Sequence, residues 1–166
     1  NMFEVDPSRR TTYYGWPPTV DRQNEWGTIS VAVPGAVSGL CAAHERWGRL
    51  PLAQVLEPAI EAAEAGVHIT WDLVLAIVRR LKEIESLPGA GDLLLRDGRP
   101  PTIPEDGGLP DGTDERIDTS RLANALREIG RHGAAGFYRG WVAESIEREV
   151  KAGAGVLTAD DLAAYQ

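Results

Sequence analysis

The stretch ISVAVPGAVSGLCAAHERWG, Ile29 to Gly48, places Gly35 and Gly39 four residues apart where a helical periodicity begins. Glycine lets backbone N–H groups close on an anion at a helix start, so the spacing invites a phosphate cradle. The surroundings argue against it. No Lys-Ser/Thr pair follows as in a P-loop, no third glycine completes a dinucleotide fingerprint, and no acidic residue can be placed on a following strand. Close packing of a small-residue helix face is the reading these residues favour. The other chemistry-bearing residues are scattered. His44, His68 and His132 have no second His or Cys at metal-ligand spacing. His44 falls on an apolar helical stripe, and His132 falls in a last helical turn, where positive charge suits the dipole. Cys41, between Leu40 and Ala42, reads as a small core residue with nothing nearby to lower its pKa. The carboxylate pairs Glu105-Asp106, Asp114-Glu115 and Asp160-Asp161 are adjacent; adjacent residues on a helix face different ways, and loop pairs are solvated. Ser38 has neither a nucleophile-elbow context nor an assignable His-acid pair. The residues by themselves offer no catalytic, substrate-binding or metal set.

Composition narrows the partners. The chain has 166 residues, 43% apolar and 25% charged, enough for one domain with a core. A formal charge of -8 repels phosphate backbones, and no cluster of Lys and Arg interleaved with aromatics offsets it, which argues against nucleic acid. The single cysteine excludes an intrachain disulfide and a cysteine-rich zinc site. No apolar run approaches the roughly 18 residues needed to cross a bilayer, and NMFEVDPSRRTTYYGWPP lacks the charged start and apolar core of a signal peptide. The compartment stays open.

The elements expected to position these residues are mostly helices. Residues 1–27, rich in aromatics, prolines and polar residues without period, read as an irregular arm. The alternation of Ile29, Val31 and Val33 predicts a short extended segment over 28–33. Val37, Leu40, Cys41, His44 and Trp47 predict a helix closed by Gly48. Leu52, Val55, Leu56, Ala59, Ile60 and Ala63 predict a second, with a kink or break at Pro58. Thr70 as N-cap, Asp72 in the first turn and the stripe Leu73, Ile77, Leu81, Ile84 predict a third, ending before Pro88. Residues 88–119, dense in Gly, Pro and Asp, read as a long surface loop that is functional, mobile or held against a partner. Leu122, Leu126 and Ile129 predict a helix to Gly133. Phe137, Trp141, Val142, Ile146 and Val150 predict another to Gly153. In LTADDLAAY, Thr158 and Asp161 have capping-box spacing, and Leu157 with Leu162 can form the hydrophobic staple. The chain ends barely two turns into that helix, too short to hold itself, which suggests a piece of something larger.

Two stretches carry more than periodicity. VPGAVSGLCAAHERWGRLPLAQVLEPAIEAAEAGVHIT, Val33 to Thr70, resembles the gamma-glutamyltranspeptidase family's V-P-G-x-V-x-G helix, its G-x-L-P turn and its P-A-I-x-x-A-x-x-G run. LANALREIGRHGAAGFYRGWVAESIEREVKAGAGVLTADDLAAY, Leu122 to Tyr165, resembles the same family's F-Y-x-G helix pair and its G-G-x-[LI]-T-x-x-D-L-A-x-Y motif. Order and spacing agree in both. Ala154 departs from the pattern, standing where the family usually shows a second glycine.

The resemblance implies an N-terminal nucleophile hydrolase of αββα architecture, whose precursor cuts itself into a large and a small subunit. A threonine freed at the small subunit's amino terminus attacks a gamma-glutamyl amide of the glutathione type, and water or an amino acid releases the acyl-enzyme. No metal or organic cofactor is implied. Family members are often periplasmic or extracellular. Both stretches match the middle of the large subunit, so the resemblance puts the threonine, the oxyanion-hole glycines and the substrate arginine outside this chain. Thr11-Thr12 lies upstream of the large-subunit motifs, and Arg9-Arg10 lacks the acidic surroundings of the family's arginine. Neither pair is carried over. The expected molecule is a mainly α fragment with a short extended arm, structural and inactive alone. Its partners would be the remainder of the large subunit and the small subunit, the gamma-glutamyl substrate belonging to the parent only. A helical binding or assembly module, docking through Tyr13-Tyr14, Trp16 and Trp26, is the alternative, and exposed apolar surface would give either one a route to oligomers.

Overall fold

The computed structural model describes residues 6, 8, 19–20, 24–102 and 116–165. Most of the 1–27 arm, including Tyr13-Tyr14 and Trp16, lies outside the described residues. Helices dominate: α1 (Ala36–Trp47), α2 (Leu52–Ala65), α3 (Trp71–Arg79), α4 (Leu81–Glu85), α5 (Pro88–Leu94), α6 (Ser120–His132), α7 (Ala135–Tyr138), α8 (Gly140–Ala152) and α9 (Ala159–Ala164). Strands β1 (Val67–His68) and β2 (Arg116–Ile117) form a two-stranded antiparallel ribbon, Val67 opposite Ile117 and His68 opposite Arg116.

The most extensive helix contact is between α2 and α6. Leu56, Ile60 and Ala63 meet Ala123 and Leu126 along it. A Cβ on Gly130 would lie 3.2 Å from Ala53 Cα, so the absence of a side chain there sets how closely the helices approach. Polar contacts reinforce the pair at the end where the ribbon joins it. Thr119 Oγ1 donates to the Ala63 carbonyl at 2.6 Å, Arg116 donates to the Ala65 carbonyl at 2.9 Å, and Arg127 pairs with Glu64. Since β1 follows α2 and β2 precedes α6, the ribbon fixes the register of two helices distant in sequence.

Several expectations are corrected. Pro58 does not divide α2 into two short helices; the helix runs without a break from Leu52 to Ala65. Pro58 and Gln54, whose carbonyl loses its partner, are both on the exposed side of α2, while packing against α6 holds the other face. The third helix divides at Arg80, whose backbone (φ -119°, ψ 17°) leaves the helical region between α3 and α4. Its start is as expected, with Thr70 accepting from the Leu73 N–H at 3.3 Å. The 88–119 loop contains α5 and β2. Pro88 sits in the first turn of α5, where its missing N–H costs nothing, while Ala90, Leu94 and Leu95 pack on Ile77 and Ile84. Arg96 and Arg99 then close a two-residue turn by reciprocal backbone bonds of 2.8 and 2.9 Å. Asp97 and Gly98 occupy it at φ 50° and 74°, the mirror-image turn that Asp-Gly favours. Over 28–33 the structure has a 3-10 turn, Thr28–Ser30, and no strand, with extended backbone at Val31 (φ -77°, ψ 123°) on the way into α1. The last long helix is two, α7 and α8, divided at Arg139, with Gly140 at φ 65°.

The end of the chain is held by local chemistry. Thr158 Oγ1 accepts from the Asp161 N–H at 3.1 Å and Asp161 accepts from the Thr158 N–H at 2.9 Å, completing the capping box. Leu157 and Leu162 are both buried beside it. Just before, Ala154 has φ 63°, in the left-handed region where a Cβ crowds the backbone. Ala154→Gly is therefore expected to raise stability by about 1 kcal/mol, read as a higher urea midpoint; an unchanged or lower midpoint would show that the turn is not strained.

The capping box also sets an acid response. The Thr158 hydroxyl, then the Thr158 backbone N–H, hold the Asp161 carboxyl below its ordinary 3.8. A depressed folded-state pKa contributes stability that is present above the unfolded value and is lost as pH falls through the folded value. The thermal midpoint should therefore drop as pH falls below about 4, and Asp161→Asn should flatten that drop.

Candidate functional site

The glycine stretch that suggested an anion cradle is occupied by the protein itself. Tyr138, the last residue of α7, sends its ring under the start of α1. Its hydroxyl donates to the Pro34 carbonyl and accepts from the Ser38 N–H at 3.1 Å. One phenol thus takes the free N–H that an anion would need and satisfies a carbonyl ahead of the helix. Tyr165 stacks on Tyr138 with ring centroids 5.6 Å apart and planes 19° apart, and Phe137 meets Tyr138 edge-on at 5.0 Å. A Cβ on Gly35 would collide with the Tyr165 hydroxyl. Around these rings Ala143, Val150, Leu157 and Leu162 are buried, with Val33, Val37 and Ile146 packed against them.

Packing within this chain is thus the role of Gly35, whereas Gly39 is exposed, with no described residue within 4 Å of where its Cβ would stand. Nor is the predicted α1 stripe a core face throughout. Cys41 is buried, but Leu40 and Trp47 are 71% and 69% exposed. His44 is half-buried, its Nε2 2.9 Å from the Leu50 carbonyl oxygen. Burial, and then the charge of Glu45, push the Cys41 thiol up, away from the thiolate a nucleophile needs.

The other candidates are not brought together. His68 is exposed on β1, and His132 lies 3.7 Å from Glu128 in the last turn of α6. Asp161 is committed to its cap, with Asp160 exposed beside it. Glu105-Asp106, Asp114-Glu115, Thr11-Thr12 and Arg9-Arg10 lie outside the described residues. Among the described residues no group of three or more His, Cys, Asp or Glu is arranged to hold a metal ion, and no helix is long and apolar enough to cross a membrane. Sequence reasoning missed the two tyrosines. Their signal was available: both stand in the quoted motifs, as the Tyr of F-Y-x-G and the last Tyr of D-L-A-x-Y.

The rings of Tyr138 and Tyr165 bring three motif segments, far apart in sequence, to one point. The sequence model of Gamma-glutamyltranspeptidase matches residues 7–166. The chain belongs to the gamma-glutamyltranspeptidase family. It is similar to the acylase ACY 1 proenzyme of Pseudomonas sp. strain SE83, 36% identical over 148 residues, covering 89% of this chain and 25% of that one. Glutathione hydrolase 3 of Arabidopsis thaliana is 34% identical over 140 residues, 84% of this chain and 20% of that one. The Helicobacter pylori gamma-glutamyltranspeptidase crystal structure superposes with a TM-score of 0.76 at 25% identity, over 99% of this chain and 45% of that one. The chain thus spans about a quarter or less of these two curated relatives. In gamma-glutamyltranspeptidase terms, the described latch joins the V-P-G-x-V-x-G segment to the F-Y-x-G and D-L-A-x-Y segments.

The two glycines should respond oppositely to alanine. Gly35→Ala forces Tyr165 from its stack and should destabilise by about 1–3 kcal/mol, whereas Gly39→Ala, in an open helical position, should stabilise by up to about 1 kcal/mol. Denaturant midpoints of the two variants check this; equal effects would show that the collision at Tyr165 is relieved without cost.

Proposed function

We propose that this chain is the helical midsection of the large subunit of a gamma-glutamyltranspeptidase-like enzyme, and that it contributes structure instead of catalytic groups. The observation that carries the reading is the convergence of three family motif segments on Tyr138, in a chain whose family match runs over 7–166. A segment whose motif residues are spent on packing and backbone bonds is built to hold a shape.

The parent is an αββα enzyme in which a threonine outside this chain is the nucleophile. Its hydroxyl attacks the carbonyl of a gamma-glutamyl amide, the amine leaves with a proton, and the acyl-threonine ester is released to water or to an amino acid. The midsection's helices cover the catalytic sheets and help shape the substrate cleft. Relatives are named as an acylase and as a glutathione hydrolase, and the donor class, whether glutathione, another gamma-glutamyl amide or a cephalosporin-type acyl group, is read by residues elsewhere in the parent. The partners of this chain are the remainder of the large subunit and the small subunit. The exposed Leu40, Trp47, Leu50 and Val55 on and beside α1 and α2 support that reading, being large apolar side chains of the kind an interface covers.

The purified 166-residue chain should release no chromophore from gamma-glutamyl-p-nitroanilide, with or without an acceptor dipeptide. Turnover above the buffer rate, abolished by a substitution within this chain, would overturn the structural reading. Alone, the chain should also self-associate through the exposed apolar residues, and Leu40→Ser with Trp47→Ser should restore a monomer in sedimentation. A monomeric unsubstituted chain would refute the interface assignment.

A further inference from the structure

A cleft of about 610 Å³ opens between α5, α6 and α8. That is the size of a small-molecule site. Its apolar lining comes from Leu87, Ala90 and Ala152, with the Trp141 indole as a wall. Trp141 is 44% exposed although its spacing with Val142 and Ile146 predicted a core position. Its polar lining comes from two facing helices. Arg121 and Asn124, three apart, project from one face of α6, while Ser145 and Arg148, three apart, project from one face of α8.

The two arginines differ from their neighbours. On α6, Arg127 pairs with Glu64, and Arg131 pairs with Glu128 at 3.1 Å. Among the described residues, neither Arg121 nor Arg148 is in an ion pair with a carboxylate. Arg148 Nη2 donates to Ser145 Oγ at 3.0 Å, which steadies its guanidinium at the cleft, and Arg121 acts on Asp118 only through its charge. A net charge of -8 makes two arginines without ion-pair partners among the described residues, lining one cleft with an exposed indole, a local exception to the molecule's field.

We propose that this cleft binds a small molecule with one carboxylate and an apolar body, the carboxylate on the Arg121 and Arg148 guanidiniums and the apolar part against Trp141 and Ala152. Guanidinium forks match a carboxylate, and Asn124 can donate a further hydrogen bond. Glu149 lines the same cleft and opposes the anion, so it tempers the affinity and directs the charged end toward the arginines. The proposal does not depend on the enzymatic reading of the family.

The test uses the 166-residue chain with 3-phenylpropionate as probe, followed by calorimetry and by ligand-observed NMR, with 3-phenylpropan-1-ol as the uncharged comparison. Saturable binding of the acid in about the millimolar range is expected, weakening as salt is added, with none by the alcohol. Arg121→Gln with Arg148→Gln should weaken it about tenfold or more, while lysine at both positions should retain part of the affinity. Glu149→Gln should tighten it, a response that general damage to the fold would not produce. Absence of saturable binding by the unsubstituted chain, equal binding of acid and alcohol, or unchanged affinity in the double glutamine variant with its circular dichroism intact would each overturn the proposal.

Discussion

The Tyr138 hydroxyl is the contact on which the distant parts of this chain depend. It bonds to both sides of the α1 start, across about a hundred residues of sequence, from a ring that is itself wedged between Phe137 and Tyr165. A phenol suits this task because it both donates and accepts, so one atom satisfies a carbonyl and an N–H that would otherwise be half-buried without partners. The Tyr165 hydroxyl then stands where a Cβ on Gly35 would be, so a side chain at that position displaces the ring from its stack. Three segments that look separate in sequence are constrained by one another through two aromatic rings.

The α2 and α6 pair is organised by a different economy. Here the close approach at Gly130 and the small Ala63 and Ala123 bring the helices together, and the short ribbon at one end prevents them from slipping. Two residues per strand are far too few to stand alone, so the ribbon gains its stability from the helices it joins. That dependence runs both ways. Pro58 survives in mid-helix because α2 is held by its neighbour along the opposite face.

Legibility in the sequence followed the range of the interactions. Both side-chain caps, Thr70 and the Thr158–Asp161 box, were readable because each is decided within four residues. The breaks at Arg80 and at Arg139–Gly140 were not, because the apolar stripe keeps its helical spacing across both, even though Gly140 stands at the second. The α5 helix was hidden by its own composition. Pro88, Gly89 and Gly91 suggest a loop, and only the burial of Ala90, Leu94 and Leu95 against α3 and α4 makes a helix of them. At the candidate sites, the dispersion of the histidines and the inertness of Cys41 were visible from types and spacing. The tyrosine latch required two motifs to meet in space, and the Arg121–Arg148 cleft required knowing that Trp141 faces outward.

Among the described residues the buried side chains fall into four clusters, two of them bridged by Leu73 and Leu94, and this limits what the chain can do alone. A single core of the same residues would gain from each side chain being surrounded by others; small clusters leave much of their rim in contact with water. Helix α1 is the clearest case. It is tied down at its first turn by Tyr138 and Tyr165, while Leu40 and Trp47 further along it stand in solvent. Helix α1 thus combines an anchored start with a bare apolar face among the described residues, the arrangement expected of an element positioned by its own chain before anything else packs on it. The open Gly39, which no described residue packs against, lies on the stretch of α1 between the latch and Trp47, so the constraint that the two tyrosines place on Gly35 does not extend one turn further along the same helix.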